Sequence, residues 1–336
     1  MSEAENKMFL VSSSPHAHSG ATVQRIMLDV ILALMPALAV SVFRFGIDAA
    51  RLVVTCVATC VIAEYLCRRA MGRQAAVNDL SAVVTGLLLA FNLPPALPSW
   101  MAVVGSIIAI VIAKQVFGGL GYNPFNPALI GRVALLVSFP AAMTTWSAWR
   151  IPAPLGGVEA VTQATPLGLL KTSLSTDGSM PYAFNGATAM QFLLGNQNGC
   201  IGEMSALALL VGGLYLLARR CISLHTPLCY LATVAVFAAV LYVVDPARNM
   251  TPLFHLLTGG LMIGAIFMAT DMVTSPVTRK GMCVFGVGCG ILTMVIRKWG
   301  GYPEGVSFAI LLMNAVTPLI NRATRPRVFG TGLRNA

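Results

Sequence analysis

The chain has 336 residues, of which 57% are hydrophobic and 10% charged, and its mean hydropathy is +0.78. A water-soluble fold of this length needs far more polar surface to cover its core, so that class is excluded. The net charge of +10 does not point to nucleic acid, because Lys and Arg fall in short clusters at the ends of apolar runs, with no basic stripe.

The chain opens on polar Ser2, Glu3, Glu5, Asn6 and Lys7, and no small-residue cleavage site follows a short apolar core. No removable signal peptide is expected. Apolar runs that match the hydrocarbon thickness of a bilayer then predict spans at 24–43, 50–68, 79–92, 98–116 and 126–146. A polar stretch, 147–200, separates these from spans at 201–218, 226–244, 252–271, 281–297 and 304–321.

The third span is short and ends in Asn92-Leu93-Pro94-Pro95, and the eighth ends in Thr270-Asp271-Met272-Val273-Thr274-Ser275-Pro276. Each has a Thr-Gly pair near its start, Thr85-Gly86 and Thr258-Gly259. Downstream come Lys114-Gln-Val-Phe-Gly-Gly-Leu-Gly in one half and Arg297-Lys-Trp-Gly-Gly-Tyr-Pro in the other, each leading to a span behind a proline, Pro127 or Pro303. The expected fold is an all-α integral membrane protein of about ten transmembrane helices. It consists of two inverted five-helix repeats with broken third and eighth helices. Lys and Arg are about twice as frequent at the terminal-side ends of the spans, which favours cytoplasmic termini. The expected organisation is a cytoplasmic segment 1–23, a first repeat 24–146, an outside segment 147–200, a second repeat 201–321 and a cytoplasmic tail 322–336.

Thr165-Pro166 in the outside segment is a helix start, with a hydroxyl at the cap and proline in the first turn. An ordinary capped amphipathic turn on the membrane explains this spacing. A helix N-terminus also favours an anion, so a phosphate on the Thr165 hydroxyl would be well placed. Asn185-Gly-Ala-Thr188 is a second, similar stretch.

Among the charges, Arg25 with Asp29 and Glu64 with Arg68 stand four apart and are expected to neutralise each other. Asp79 and Glu304 are expected to cap the helices that follow them. Asp271 lies in a helix break without a basic neighbour in sequence, which makes it the candidate for an ion path. His16, His18, His225 and His255 lack ligand spacing, and the eight cysteines form no C-x-x-C pair, so no metal site is expected.

From end to end the chain resembles the RnfD and NqrB family of membrane subunits. Ser13-Ser-Pro-His16, Asn78-Asp-Leu-Ser-Ala-Val-Val-Thr-Gly-Leu-Leu-Leu-Ala90, Gly118-Gly-Leu-Gly-Tyr-Asn-Pro-Phe-Asn-Pro-Ala128, Gly300-Gly-Tyr-Pro-Glu-Gly-Val-Ser-Phe-Ala309 and Thr324-Arg-Pro-Arg-Val-Phe-Gly330 carry the likeness. The resemblance implies FMN joined by a phosphodiester to a threonine in an (S/T)-x-A-T motif, here Thr162-Gln-Ala-Thr165. The acidic residue six positions earlier, usually Asp in the family, is Glu159 here. It further implies a non-covalent riboflavin, a flavin transferase as a partner, and a bacterial inner-membrane complex whose other subunits hold iron–sulfur centres. That complex couples electron transfer between ferredoxin and NAD to Na⁺ or H⁺ transport, so the chain alone is not a complete enzyme. The competing class is a solute channel or transporter of the inverted-repeat type with no redox cofactor, which the repeats by themselves favour.

Overall fold

The computed structural model describes residues 22–73, 77–146, 164–176, 184–195 and 197–326, and every regular element among them is a helix. Thr22 starts α1 (Val23–Phe45) by accepting a hydrogen bond from the Arg25 backbone at 3.3 Å. Gly46, at φ 65°, turns the chain directly into α2 (Ile47–Ala70). Asp79 Oδ1 accepts from the Ser81 backbone N–H at 2.9 Å and from Ser81 Oγ at 2.7 Å, the expected capping role, and α3 (Ser81–Phe91) follows. α3 runs unbroken through Thr85-Gly86. Gly86 serves close packing there, because a Cβ at this position would lie 2.7 Å from Val57 Cα of α2.

After the Asn92–Leu97 break, α4 (Ser99–Ile107) continues as a π-helical stretch over Ile108–Gln115. Asn126 caps α5 (Pro127–Ser138), accepting from the backbone of Ala128 at 3.1 Å and Leu129 at 3.4 Å. The expected span 126–146 is shorter in fact. Pro140 has no N–H to continue the ladder, so α5 stops at Ser138 and a single turn, α6 (Pro140–Met143), follows.

The polar segment contributes α7 (Pro166–Thr176) and α8 (Gly186–Leu194). The second half then holds α9 (Ala206–Ala218), α10 (His225–Val244), α11 (Pro252–Leu257), α12 (Leu261–Ile263), α13 (Arg279–Trp299) and α14 (Val306–Ala323). α12 runs on as a π turn over Gly264–Met268. The expected eighth span is therefore broken twice, at its polar end and in its middle. Gly259 and Gly260, at φ 71° and 65°, make the middle break, and Arg297 fastens it by donating to the carbonyls of His255 at 2.7 Å and Thr258 at 2.8 Å.

Among the described residues five helices, α1, α2, α10, α13 and α14, are long and apolar enough to cross a membrane; α3, α4 with its π stretch, α5 and α9 are shorter apolar helices. Only 22% of the apolar stretch of α10 is buried, and Val236, Val240, Val243 and Val244 are exposed. An exposed apolar face of that extent requires lipid, so the chain is a multi-pass membrane protein. α1 packs on α9, α2 on α3 and α4, α10 on α13, and α5 meets α14. Asp29, expected to pair with Arg25 on its own helix, accepts instead from Tyr215 Oη at 2.8 Å and Arg219 Nε at 3.3 Å, and so ties α1 to α9.

Candidate functional site: a cavity beside Thr165

Thr165 is 6% exposed and caps α7, its Oγ1 accepting from the Gly168 backbone N–H at 3.1 Å. Pro166 fixes the first helical residue, as the sequence implied. α7 is held in place by its apolar face, where Leu167 and Leu170 bury against Phe192 of α8 and against Met250 and Phe254. That packing turns the capped end toward a cavity of about 300 Å³ lined by Thr165, Arg132, Trp146, Lys171, Tyr302 and Glu304.

The wall is both aromatic and basic. Tyr302 stacks on Phe308 with ring centroids 5.5 Å apart and planes at 22°, and Trp146 is nearly buried. Lys171 stands on α7 a turn and a half beyond Thr165 and donates to the Gly300 carbonyl. Burial holds its ammonium below the usual lysine range. Arg132, inside α5, donates to Asn92 Oδ1 at 2.7 Å and pairs with Glu304. Glu304 is thus not the cap expected of it, because Gly305, at φ 72°, makes the turn into α14 and leaves the carboxylate to Arg132.

A helix N-terminus, two cations and flat aromatic walls suit a ligand that joins an anion to a planar ring. Of the other candidates, Glu159 and Thr162 lie outside the described residues. Thr188 sits half-buried in the first turn of α8 and is not part of the cavity wall.

Asp271 belongs to a different place. A cavity of about 100 Å³ is lined by Asp271, Lys114, Ser81, Asn123 and Asn126. Asp271 Oδ1 accepts from Val273 N at 3.2 Å and Oδ2 from Thr274 Oγ1 at 3.1 Å, which shapes the turn after the π segment. Lys114 faces the same cavity with its Nζ 2.8 Å from Glu64 Oε2 and 2.6 Å from Ser81 Oγ. Arg68 joins Glu64 at 2.9 Å, the expected pair on one helix face, and reaches Asp79 at 3.2 Å.

Sequence reasoning passed over Arg132 and Glu203. Arg132 had a signal, a cation inside an apolar span, but nothing local named its partners. Glu203 is buried with its carboxylate near Cys200 and Glu304, and only tertiary structure brings these three together.

The chain is 47% identical over 98% of its length, and 99% of the relative's, to the D subunit of the proton-translocating ferredoxin:NAD(+) oxidoreductase complex of Clostridium ljungdahlii. It is 49% identical, over 95% of each chain, to the D subunit of the Na(+)-translocating ferredoxin:NAD(+) oxidoreductase complex of Acetobacterium woodii. It is 44% identical, over 94% of each, to the D subunit of the ion-translocating oxidoreductase complex of Stutzerimonas stutzeri. The model of one family matches residues 10–330, nearly the whole chain, and on these grounds the protein belongs to the NQR2, RnfD, RnfE family.

Proposed function

We propose that the chain is the flavin-bearing membrane subunit of a redox-driven, ion-translocating complex that links ferredoxin and NAD, and that it carries FMN on Thr165. The observation behind this proposal is the capped Thr165 hydroxyl at the mouth of an aromatic, basic cavity, in a chain so similar to subunits named for that reaction. FMN, when bound, supplies one- and two-electron transfer.

The chain's own residues do the rest. Thr165 provides the oxygen of the phosphodiester, at the positive end of the α7 dipole, where the Gly168 N–H already donates to that oxygen. Lys171 supplies positive charge beside it, the charge of Arg132 being taken up by Glu304, while Trp146 and Tyr302 offer flat surfaces to the ring. The relatives named for H⁺ and for Na⁺ are 47% and 49% identical, so overall similarity does not choose the ion. A non-covalent riboflavin belongs to the same proposal.

The proposal includes two inverted repeats, 24–146 and 201–321, in the bacterial inner membrane. It is supported by equivalent packing, α2 on α4 as α10 on α13, with α1 meeting α9 and α5 meeting α14. Arg73 donates to the Gly118 carbonyl at 2.8 Å, and Thr278 meets Thr324 at 2.6 Å, at the end assigned to the cytoplasm. Thr165 and the 147–200 segment fall on the periplasmic side, within reach of a flavin transferase.

Expression beside a competent transferase tests the function. The purified chain should show flavin absorbance and a fluorescent band that survives denaturing electrophoresis. A colourless protein under those conditions would return the solute-channel class to first place.

A further inference from the structure

Beyond Lys171, α7 borders a second cavity, of about 410 Å³, at the ends of α10 and α13. Its wall includes Leu170, Lys171, Arg248, His255 and Lys298, and Thr165 is not part of it. Among the described residues no acidic side chain lines it. Lys171 donates to the Gly300 carbonyl, and Lys298 Nζ lies 2.5 Å from Asn249 Oδ1 and 3.4 Å from the Arg248 carbonyl, so both ammonium groups meet only neutral oxygens. Arg248 is exposed, and its guanidinium makes no hydrogen bond or ion pair among the described residues.

Arg297 also reaches this wall, but it is occupied by backbone carbonyls and faces the buried charge of Glu203. The acid nearest in sequence is Asp245, whose Oδ1 accepts from the Ala247 backbone N–H at 3.2 Å. Set against Asp245, the cations Lys171, Arg248 and Lys298 still leave positive charge in excess. His255 is 8% exposed, and its Nδ1 is buried without a hydrogen-bond partner among the described residues.

An apolar groove of about 460 Å³ shares Leu241 with this cavity. It runs along α10 past Val236, Phe237 and Val240 to Trp299 of α13, and no charged residue lines it. Trp299 packs edge-on against Phe237, with ring centroids 6.5 Å apart, and stays 65% exposed. An indole beside a lysine at the end of a membrane-crossing helix marks the level of the lipid headgroups.

We propose that groove and cavity together bind one anionic phospholipid, its acyl chain along α10 and its phosphate between Arg248, Lys298 and Lys171. Phosphate oxygens accept readily from guanidinium and ammonium groups. The excess of positive charge repels the cationic end of a zwitterionic headgroup, which makes the site selective for a lipid with net negative charge. Lys171 belongs to both this cavity and the one beside Thr165, so the lipid steadies the helix that carries Thr165. The site needs no flavin and stands apart from the redox function.

The test uses the full-length chain carrying Thr165→Val, so that no flavin quenches tryptophan, in phosphatidylcholine vesicles with rising amounts of phosphatidylglycerol brominated on its acyl chains. Quenching should saturate at a low fraction of that lipid, and Trp299→Phe should remove the saturable part. Brominated phosphatidylcholine at the same fraction should give no saturable part. Arg248→Gln, alone and with Lys298→Gln, should raise the half-saturating fraction about fivefold for each positive charge removed. Equal quenching by the two lipids, or a half-saturating fraction that Arg248→Gln leaves unmoved, overturns the proposal. Loss of the saturable part when inorganic phosphate replaces chloride at equal ionic strength makes this a site for free anions and overturns it too. Should the double variant fail to fold, Arg248→Gln decides alone, because its side chain is exposed.

Discussion

Lys114 Nζ and Glu64 Oε2 meet at 2.8 Å with side chains only 2% and 0% exposed. The pair is the centre of a network. Glu64 also accepts from Arg68 and Gln115, each at 2.9 Å, and Lys114 also reaches Ser81. A buried ion pair adds little net stability over apolar residues of similar size, yet removing one member strands the other. The network therefore fixes Lys114 at the wall of the cavity it shares with Asp271.

Glu64→Ala should cost on the order of 3–5 kcal/mol, because it strips Lys114 and Arg68 of their common acceptor. Arg68→Ala should cost less, since that side chain is 13% exposed and Glu64 keeps Lys114 and Gln115. Heat denaturation in detergent compares them. Equal midpoints for Glu64→Ala and the unaltered protein would remove Glu64 from the centre of the network.

The break between α11 and α12 makes a second prediction. At Gly259 a Cβ would add to the positive φ a clash with the Leu167 side chain and a 2.8 Å contact with Arg297. Gly72 has a similar φ, 66°, and open space around it. Gly72→Ala should cost about 1–2 kcal/mol for its conformation alone. Gly259→Ala should cost clearly more and loosen α7, because Leu167 must move. A limited-proteolysis comparison of α7 reads this directly, and equal cleavage in both variants would speak against the coupling.

How much of this was legible beforehand depended on how local the cause was. α1, α2, α10, α13 and α14 were readable because each is a sustained apolar run. The cap at Thr165 was readable because Thr-Pro acts on its own backbone. The middle break was hidden, since Gly259 and Gly260 bend where Arg297, far along the chain, donates to the carbonyls of Thr258 and Gly259. The cavity wall was hidden for the same reason, with Arg132 and Glu304 separated by 172 positions. Glu304 was misassigned as a cap because Gly305 can adopt the turn unaided.

Asp271→Asn keeps an acceptor for Val273 N and removes the charge. If Asp271 lies on the ion path, this variant retains flavin and electron transfer while moving fewer ions per electron in reconstituted vesicles. An unchanged ratio would make Asp271 a turn-forming residue only.

Lys171 predicts a pH dependence. Burial lowers its folded-state pKa below the unfolded value of about 10.4, so in that window the unfolded chain binds more protons. Stability of the flavin-free protein should therefore rise with pH across the window, with the burial cost fully present below it. Lys171→Met removes the proton and should flatten the rise, and a phosphodiester on Thr165 should shrink it by favouring the ammonium. Chemical denaturation of the Thr165→Val protein over alkaline pH measures this. Identical limbs with and without Lys171→Met would exclude the lysine as the source.

Mass spectrometry of the peptide that carries Thr165 tests the bond between Thr165 and FMN most directly. In protein made beside a flavin transferase, that peptide should hold the flavin phosphate on Thr165. Thr165→Val should lose the adduct while still inserting, and Thr188→Ala, altered outside the cavity, should keep it. An adduct on Thr188 with Thr165 unmodified, or no adduct at all, would contradict the assignment.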